Sequence, residues 1–178
     1  MTSRCCTLFL LCLASIGVAA KDPMTGPVIA DYGPTFAMDV DVPVDAERRY
    51  RVVFDAANHR GGTDAVNRSL VTVARYLNMH GRAGVAVDRH EIAVVFHGEA
   101  LKSALHQEAY RERYATDNPN LELIAALQEA GVSFYACGQS LGFRGFDKEE
   151  LTNGVAVALS AMTMLVTLQN DGYALIPW

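Results

Sequence analysis

The segment His90–Gly98, HEIAVVFHG, decides the fold class. Ile92, Ala93, Val94, Val95 and Phe96 are apolar without alternation, the pattern of a strand covered on both faces. Such strands belong to parallel sheets, and parallel neighbours need crossover connections, usually helices. The flanking chain supplies them. Tyr50–Phe54 reads as a strand, followed by the turn-rich Asn58-His59-Arg60-Gly61-Gly62. Thr63 or Asp64 is expected to cap a helix in which Val66, Leu70, Val73, Ala74 and Leu77 form one stripe, with Gly81 as its stop. A second helix is expected from Glu99 to Tyr114. Asn118-Pro119 opens a third, with Leu123, Ile124 and Leu127 inward and Gly131 at its end.

Val132–Gly145, VSFYACGQSLGFRG, continues the alternation: a buried strand to Ala136, then Cys137 and a glycine-rich loop. Lys148–Leu151 suits a helical turn and Val155–Leu159 a fourth strand. Ser160 can cap a helix over Ala161–Asn170, and Tyr173–Ile176 completes five strands. The whole reads as a three-layer α/β/α domain with a mostly parallel five-stranded sheet and right-handed crossovers. Met162, Met164, Leu165, Val166 and Leu168 cover most of the last helix, so it is expected to be buried in the domain or against another subunit.

With 178 residues, 51% of them hydrophobic, the chain can bury one domain-sized core. Net charge is −5 with no basic patch, which argues against nucleic-acid binding. Residues 1–20 read as a signal peptide: Arg4, an apolar run from Cys5 to Ala20, and small residues at Val18-Ala19-Ala20. The run is short for a membrane span, so no stable membrane insertion is expected after cleavage. The product would be periplasmic or secreted. Its layout would be an extended, breaker-rich arm over 21–46, with apolar Val28, Ile29, Tyr32 and Phe36, and the domain over 47–178. Cleavage removes Cys5, Cys6 and Cys12 and leaves Cys137 alone, without a partner for a disulfide.

In parallel α/β sheets, ligands sit beyond the carboxyl ends of the strands. Asn58, His59, His97 and Cys137 occupy those ends. A working cysteine needs its thiolate stabilised. The amides freed by the Gly138 turn, a charge on Arg144, or His97 as base or cation could do this, and Gln139 and Ser140 could hydrogen-bond a sulfur adduct. Each has a plainer alternative. Arg144 could pair with Glu149 or Glu150, His97 could satisfy a loop carbonyl, and Cys137 could be an inert core thiol. No C-x-x-C pair exists. Cys137, His97 and His59 match no recognised metal-ligand spacing, so neither metal nor cofactor is assigned. Asn67-Arg68-Ser69 is a glycosylation sequon inside an expected helix.

The chain resembles the DsrE/DsrF-like proteins, which include the TusD-type sulfur carriers. The likeness rests on Cys137-x6-Arg144-Gly145, on Ala158–Thr163 and Gly172–Ile176, and on Val94–Gly98 with the Asn118–Gly131 helix. The resemblance implies homo- or hetero-oligomers and, in members that act in sulfur relay, a cysteine carrying a persulfide. Cys137 matches that position. The expected function is an exported sulfur carrier or sulfurtransferase, with sulfur donor and acceptor proteins as partners. The alternative is a non-catalytic oligomeric module that binds a small ligand or metal.

Overall fold

The computed structural model describes residues 22–177. The signal peptide expected over 1–20 lies outside the described residues. Five strands, β1 (Tyr50–Ala56), β2 (His90–Phe96), β3 (Ser133–Cys137), β4 (Val155–Ala158) and β5 (Ala174–Pro177), form one sheet. Its order is β4-β3-β2-β1-β5, and every pair is parallel. The chain steps outward from β1 to β4, then crosses back to place β5 on the other side of β1.

Alternation along the strands divides the core in two. Val52, Phe54, Ile92, Val94, Phe96, Phe134 and Ala136 face one side. There they meet Leu70, Val73 and Leu77 of α1 (Arg68–Arg82) and Leu123, Ile124 and Leu127 of α3 (Leu121–Glu129). Phe54, Phe96 and Phe134 are buried almost completely, each burial stabilising by about 1.5–3 kcal/mol. The opposite face is thinner. Val53, Ala93, Val95 and Cys137 pack against Ala161 and Leu168 of a single helix, α5 (Ala161–Asn170). The expected burial of α5 holds only for that inner stripe: Met162 is 76% and Val166 57% exposed.

Three local expectations are corrected. The first helix begins at Arg68, with Asn67 accepting from the Ser69 amide at 2.9 Å, while Gly62 to Ala65 form a turn ahead of it. Asn67 is fully buried and donates to Ser103 Oγ at 3.0 Å, which closes the sequon to any glycan on the folded chain. The expected 99–114 helix is broken. A 3-10 segment (Gly98–Ala104) and α2 (Gln107–Tyr114) flank an extended Leu105. Asn118 holds the break open, donating to the carbonyls of Ser103 at 3.1 Å and Leu105 at 2.7 Å. The glycine-rich stretch after Cys137 is helical, forming α4 (Gly138–Arg144). Among the described residues, no helix is long and apolar enough to cross a membrane.

Several side chains tie the arm to the domain: Arg82 donates to the carbonyls of Met24 and Thr25 and to Thr35 Oγ1, Arg75 donates to the Pro34 carbonyl, and Asn78 makes the buried contacts. Asn78, fully buried on α1, accepts from the amides of Val28 (3.1 Å) and Ile29 (2.8 Å). Its amide donates to the carbonyls of Ile29, Tyr32 and Gly33 at 3.0, 2.9 and 3.1 Å. Ile29 enters the core, whereas Phe36 stays exposed. Asn78→Ala leaves five backbone groups without this partner and should destabilise the domain by at least about 2 kcal/mol. Urea unfolding checks this, and an unchanged midpoint would mean that the Asn78 hydrogen bonds add nothing to stability.

Candidate thiol site at the carboxyl rim

Two connections leave the sheet in opposite directions beside Cys137. After β3 the chain enters α4 on the thick side, where Leu141 joins the main core; after β4 it enters α5 on the thin side, where Ala161 packs. Such a switch point opens a crevice at the carboxyl ends of the strands. Cys137 pairs in register with Ala158 of β4, so its sulfur lies between the first turns of both helices.

Cys137 is the N-cap of α4: its Sγ accepts from the Ser140 amide at 3.4 Å. Burial pushes the thiol up. The Ser140 hydroxyl and the amides of Ser140, Ala161 and Gln139 pull it down, and the balance leaves it below its ordinary value. The physical cause is the concentration of unpaired N–H dipoles at two helix starts, which favours negative charge on sulfur. The residue is 5% exposed, so its approach is narrow. Gly138 permits this packing. A Cβ there would come within 2.9 Å of the Ala158 carbonyl oxygen.

His97 continues β2 in extended conformation and is bonded through Nε2 to Asp55 Oδ1 at 2.6 Å. It therefore serves no loop carbonyl through that nitrogen. Gly98 follows with φ +51°, its amide donating to Ser140 Oγ at 3.3 Å. A side chain at Gly98 would be strained, and its Cβ would lie 2.9 Å from the Ala57 carbonyl oxygen. Ser140 thus joins the two strand ends: its amide serves the sulfur and its hydroxyl receives Gly98.

The other predicted site residues are placed differently. Arg144 donates to the Gly98 carbonyl at 2.7 Å and pairs with Glu99, so its charge braces the 3-10 segment instead of facing sulfur. Glu150, one of its expected partners, is held by Arg113 at 2.7 Å. Gln139 donates to the Leu159 carbonyl at 3.3 Å, staying on the rim. Asn58 is exposed and lines a separate cavity of about 280 Å³ with Arg60, Arg68 and Ser69. His59 is buried on Ser103 Oγ at 3.0 Å, and burial holds its imidazole below its ordinary value. Among the described residues, no group of three or more His, Cys, Asp or Glu side chains is arranged to hold a metal.

The sequence reading misses two features. Asp55 hides inside a strand, and only its neighbour across the sheet reveals its partner. Gly138–Gly142, GQSLG, also spells G-x-S-x-G, the pattern of a serine nucleophile on a strand-to-helix turn. Here Cys137 holds the turn, Ser140 is already inside α4, and among the described residues no imidazole bonds its hydroxyl.

This parallel sheet, with helices on both sides and a thiol at its switch point, defines a class that comparison with known proteins identifies. The family model described as DsrE/DsrF-like matches residues 51–178. The chain belongs to the DsrE/DsrF-like family. It is similar in structure to MTH1491 from Methanobacterium thermoautotrophicum, a protein of unknown function. The TM-score is 0.52 at 25% identity, over 72% of this chain and 99% of that one. It is also similar in fold to the ychN protein from E. coli, with a TM-score of 0.53 at 13% identity and the same coverages. No curated protein matches the chain.

Gly138→Ala should lower stability by about 1–3 kcal/mol, because the added methyl forces the two helix starts apart. Helical preference alone favours alanine, so a net loss in thermal or urea unfolding reports the close approach. Unchanged or raised stability would contradict it.

Proposed function

We propose that this protein is a sulfur carrier in which Cys137 accepts sulfane sulfur as a persulfide and passes it to another thiol. The observation that carries the proposal is the sulfur itself, capping α4 within reach of two helix starts. The same dipoles that favour a thiolate also favour a persulfide anion at that position. Family membership supports sulfur relay as the chemistry to test first.

The apolar leader of the sequence motivates the rest of the proposal, that this chemistry takes place in the periplasm or outside the cell. Donor and acceptor proteins would approach the rim. Phe143 on α4 is 92% exposed there, with Leu159 and Met162 exposed near the start of α5. Val166 extends this apolar surface along α5, which supports assembly of identical subunits over the thin face. The burial of Cys137 favours a second reading, a non-catalytic oligomeric module whose rim holds a small ligand or metal.

Intact mass after exposure of the folded protein to polysulfide separates these readings. The carrier reading expects a sulfur-sized adduct on wild type that a reductant removes and Cys137→Ala lacks. A wild-type protein without an adduct, or an adduct that survives Cys137→Ala, overturns it.

A further inference from the structure

We propose that His97, oriented by Asp55, protonates the thiolate that leaves when Cys137 takes sulfur from a donor. The inference rests on the sulfur-acceptor reading of Cys137 and adds two residues with separate roles: His97 as the acid and Asp55 as its positioning residue.

The placement follows from register. Val95 pairs with Tyr135 and Phe96 with Ala136, so His97 and Cys137 are the next residues along two neighbouring parallel strands. Val95 and Cys137 belong to the thin-face core, and alternation brings His97 to that face two residues after Val95. Neighbouring strands run about 4.8 Å apart, so the imidazole and the thiol leave the sheet side by side. On the other flank Asp55 is level with Val95, two residues after inward-facing Val53, and therefore shares the face. Cys137, His97 and Asp55 thus stand in a row on β3, β2 and β1.

The row has a direction. A carboxylate accepts, so the 2.6 Å bond to Asp55 Oδ1 places a hydrogen on His97 Nε2 and leaves Nδ1 as the nitrogen for exchange. Both side chains are 28% exposed against 5% for Cys137, so an incoming donor meets them on its narrow approach to the sulfur. Among the described residues, register and chain order put Asp55 of β1, Cys137 of β3 and the Arg144–Glu99 pair beyond Gly98 nearest to His97. Tyr135 lies behind on β3. The covering helix α5 carries no ionisable side chain.

The step balances without a redox partner. The Cys137 thiolate attacks the terminal sulfur of a donor persulfide R–S–SH. A new S–S bond forms on Cys137, the donor's S–S bond breaks, and its electron pair leaves on R–S⁻. The proton held at Nδ1 of His97 passes to that sulfur, giving R–SH and neutral imidazole. Transfer to an acceptor reverses the roles, with His97 taking the acceptor's thiol proton.

Protonation matters only when the leaving thiolate is basic. The test uses two probes on the purified full protein: glutathione persulfide, with an alkyl thiolate leaving group, and an aromatic disulfide of the nitrobenzoate type, whose thiolate leaves unaided. His97→Gln should slow loading from glutathione persulfide at least about tenfold and remove one limb of its pH profile. Its reaction with the aromatic disulfide should stay within about twofold of wild type. Asp55→Asn, which keeps an acceptor for Nε2, should slow persulfide loading several-fold and shift the same limb. Equal slowing with both probes would mean that His97 only shapes the site, and unchanged loading from persulfide would leave it no role. Either outcome overturns the proposal while the carrier reading stands. A wild-type protein that takes no sulfur from glutathione persulfide overturns both.

Discussion

The close approach of two chain reversals governs this molecule. β3 turns into α4 and β4 turns into α5 on opposite faces, yet Cys137 and Ala158 remain paired across the sheet. Gly138 lets the connections touch, and the sulfur of Cys137 fills a place usually taken by an oxygen cap. A thiol so placed faces the amides of Ser140, Gln139 and Ala161. The Ser140 hydroxyl adds to them, so the pull on the sulfur comes from hydrogen bonds at the helix starts. Arg144, the obvious cation, instead fixes Gly98 and Glu99.

The two faces of the sheet are unequal, and the inequality has consequences. The face carrying Phe54, Phe96 and Phe134 is closed by α1, α2, α3 and α4 and a network of buried asparagines. Among the described residues the face carrying Cys137 is closed by α5 alone, which leaves apolar side chains in water and the rim within reach of a partner. Stability is thus concentrated on one side, while the chemistry proposed here lies on the weakly covered side. Functional groups commonly sit on such less committed structure, held by a rigid scaffold.

Much of the fold was legible because burial on two faces leaves a strong mark. HEIAVVF could hardly be anything but a central parallel strand, and the stripe from Val66 to Leu77 located α1. The errors arose where long-range polar contacts overrode local pattern. Asn118 breaks the run after Gly98 by binding carbonyls 13 and 15 residues away, which no local signal announces. The glycines of Gly138–Arg144 disfavour helix and mask it, yet Cys137 caps the segment and Leu141 anchors it in the core. Position at strand ends points to Cys137, His97 and His59 alike. It could not separate His97 on the thin face from His59 buried on Ser103, because facing depends on register, and Asp55 lacked any local pattern to mark it.

The central claim is that the Ser140 hydroxyl and the amides at two helix starts favour the anionic form of the Cys137 sulfur and lower its pKa despite burial. Ultraviolet titration of the thiolate in the folded protein, with Cys137→Ser as blank, measures this directly. The account predicts a midpoint below the ordinary thiol value of about 8.5, with the thiolate lost as pH falls through that midpoint. A midpoint at or above the ordinary value would show that burial outweighs the amides and would contradict the account.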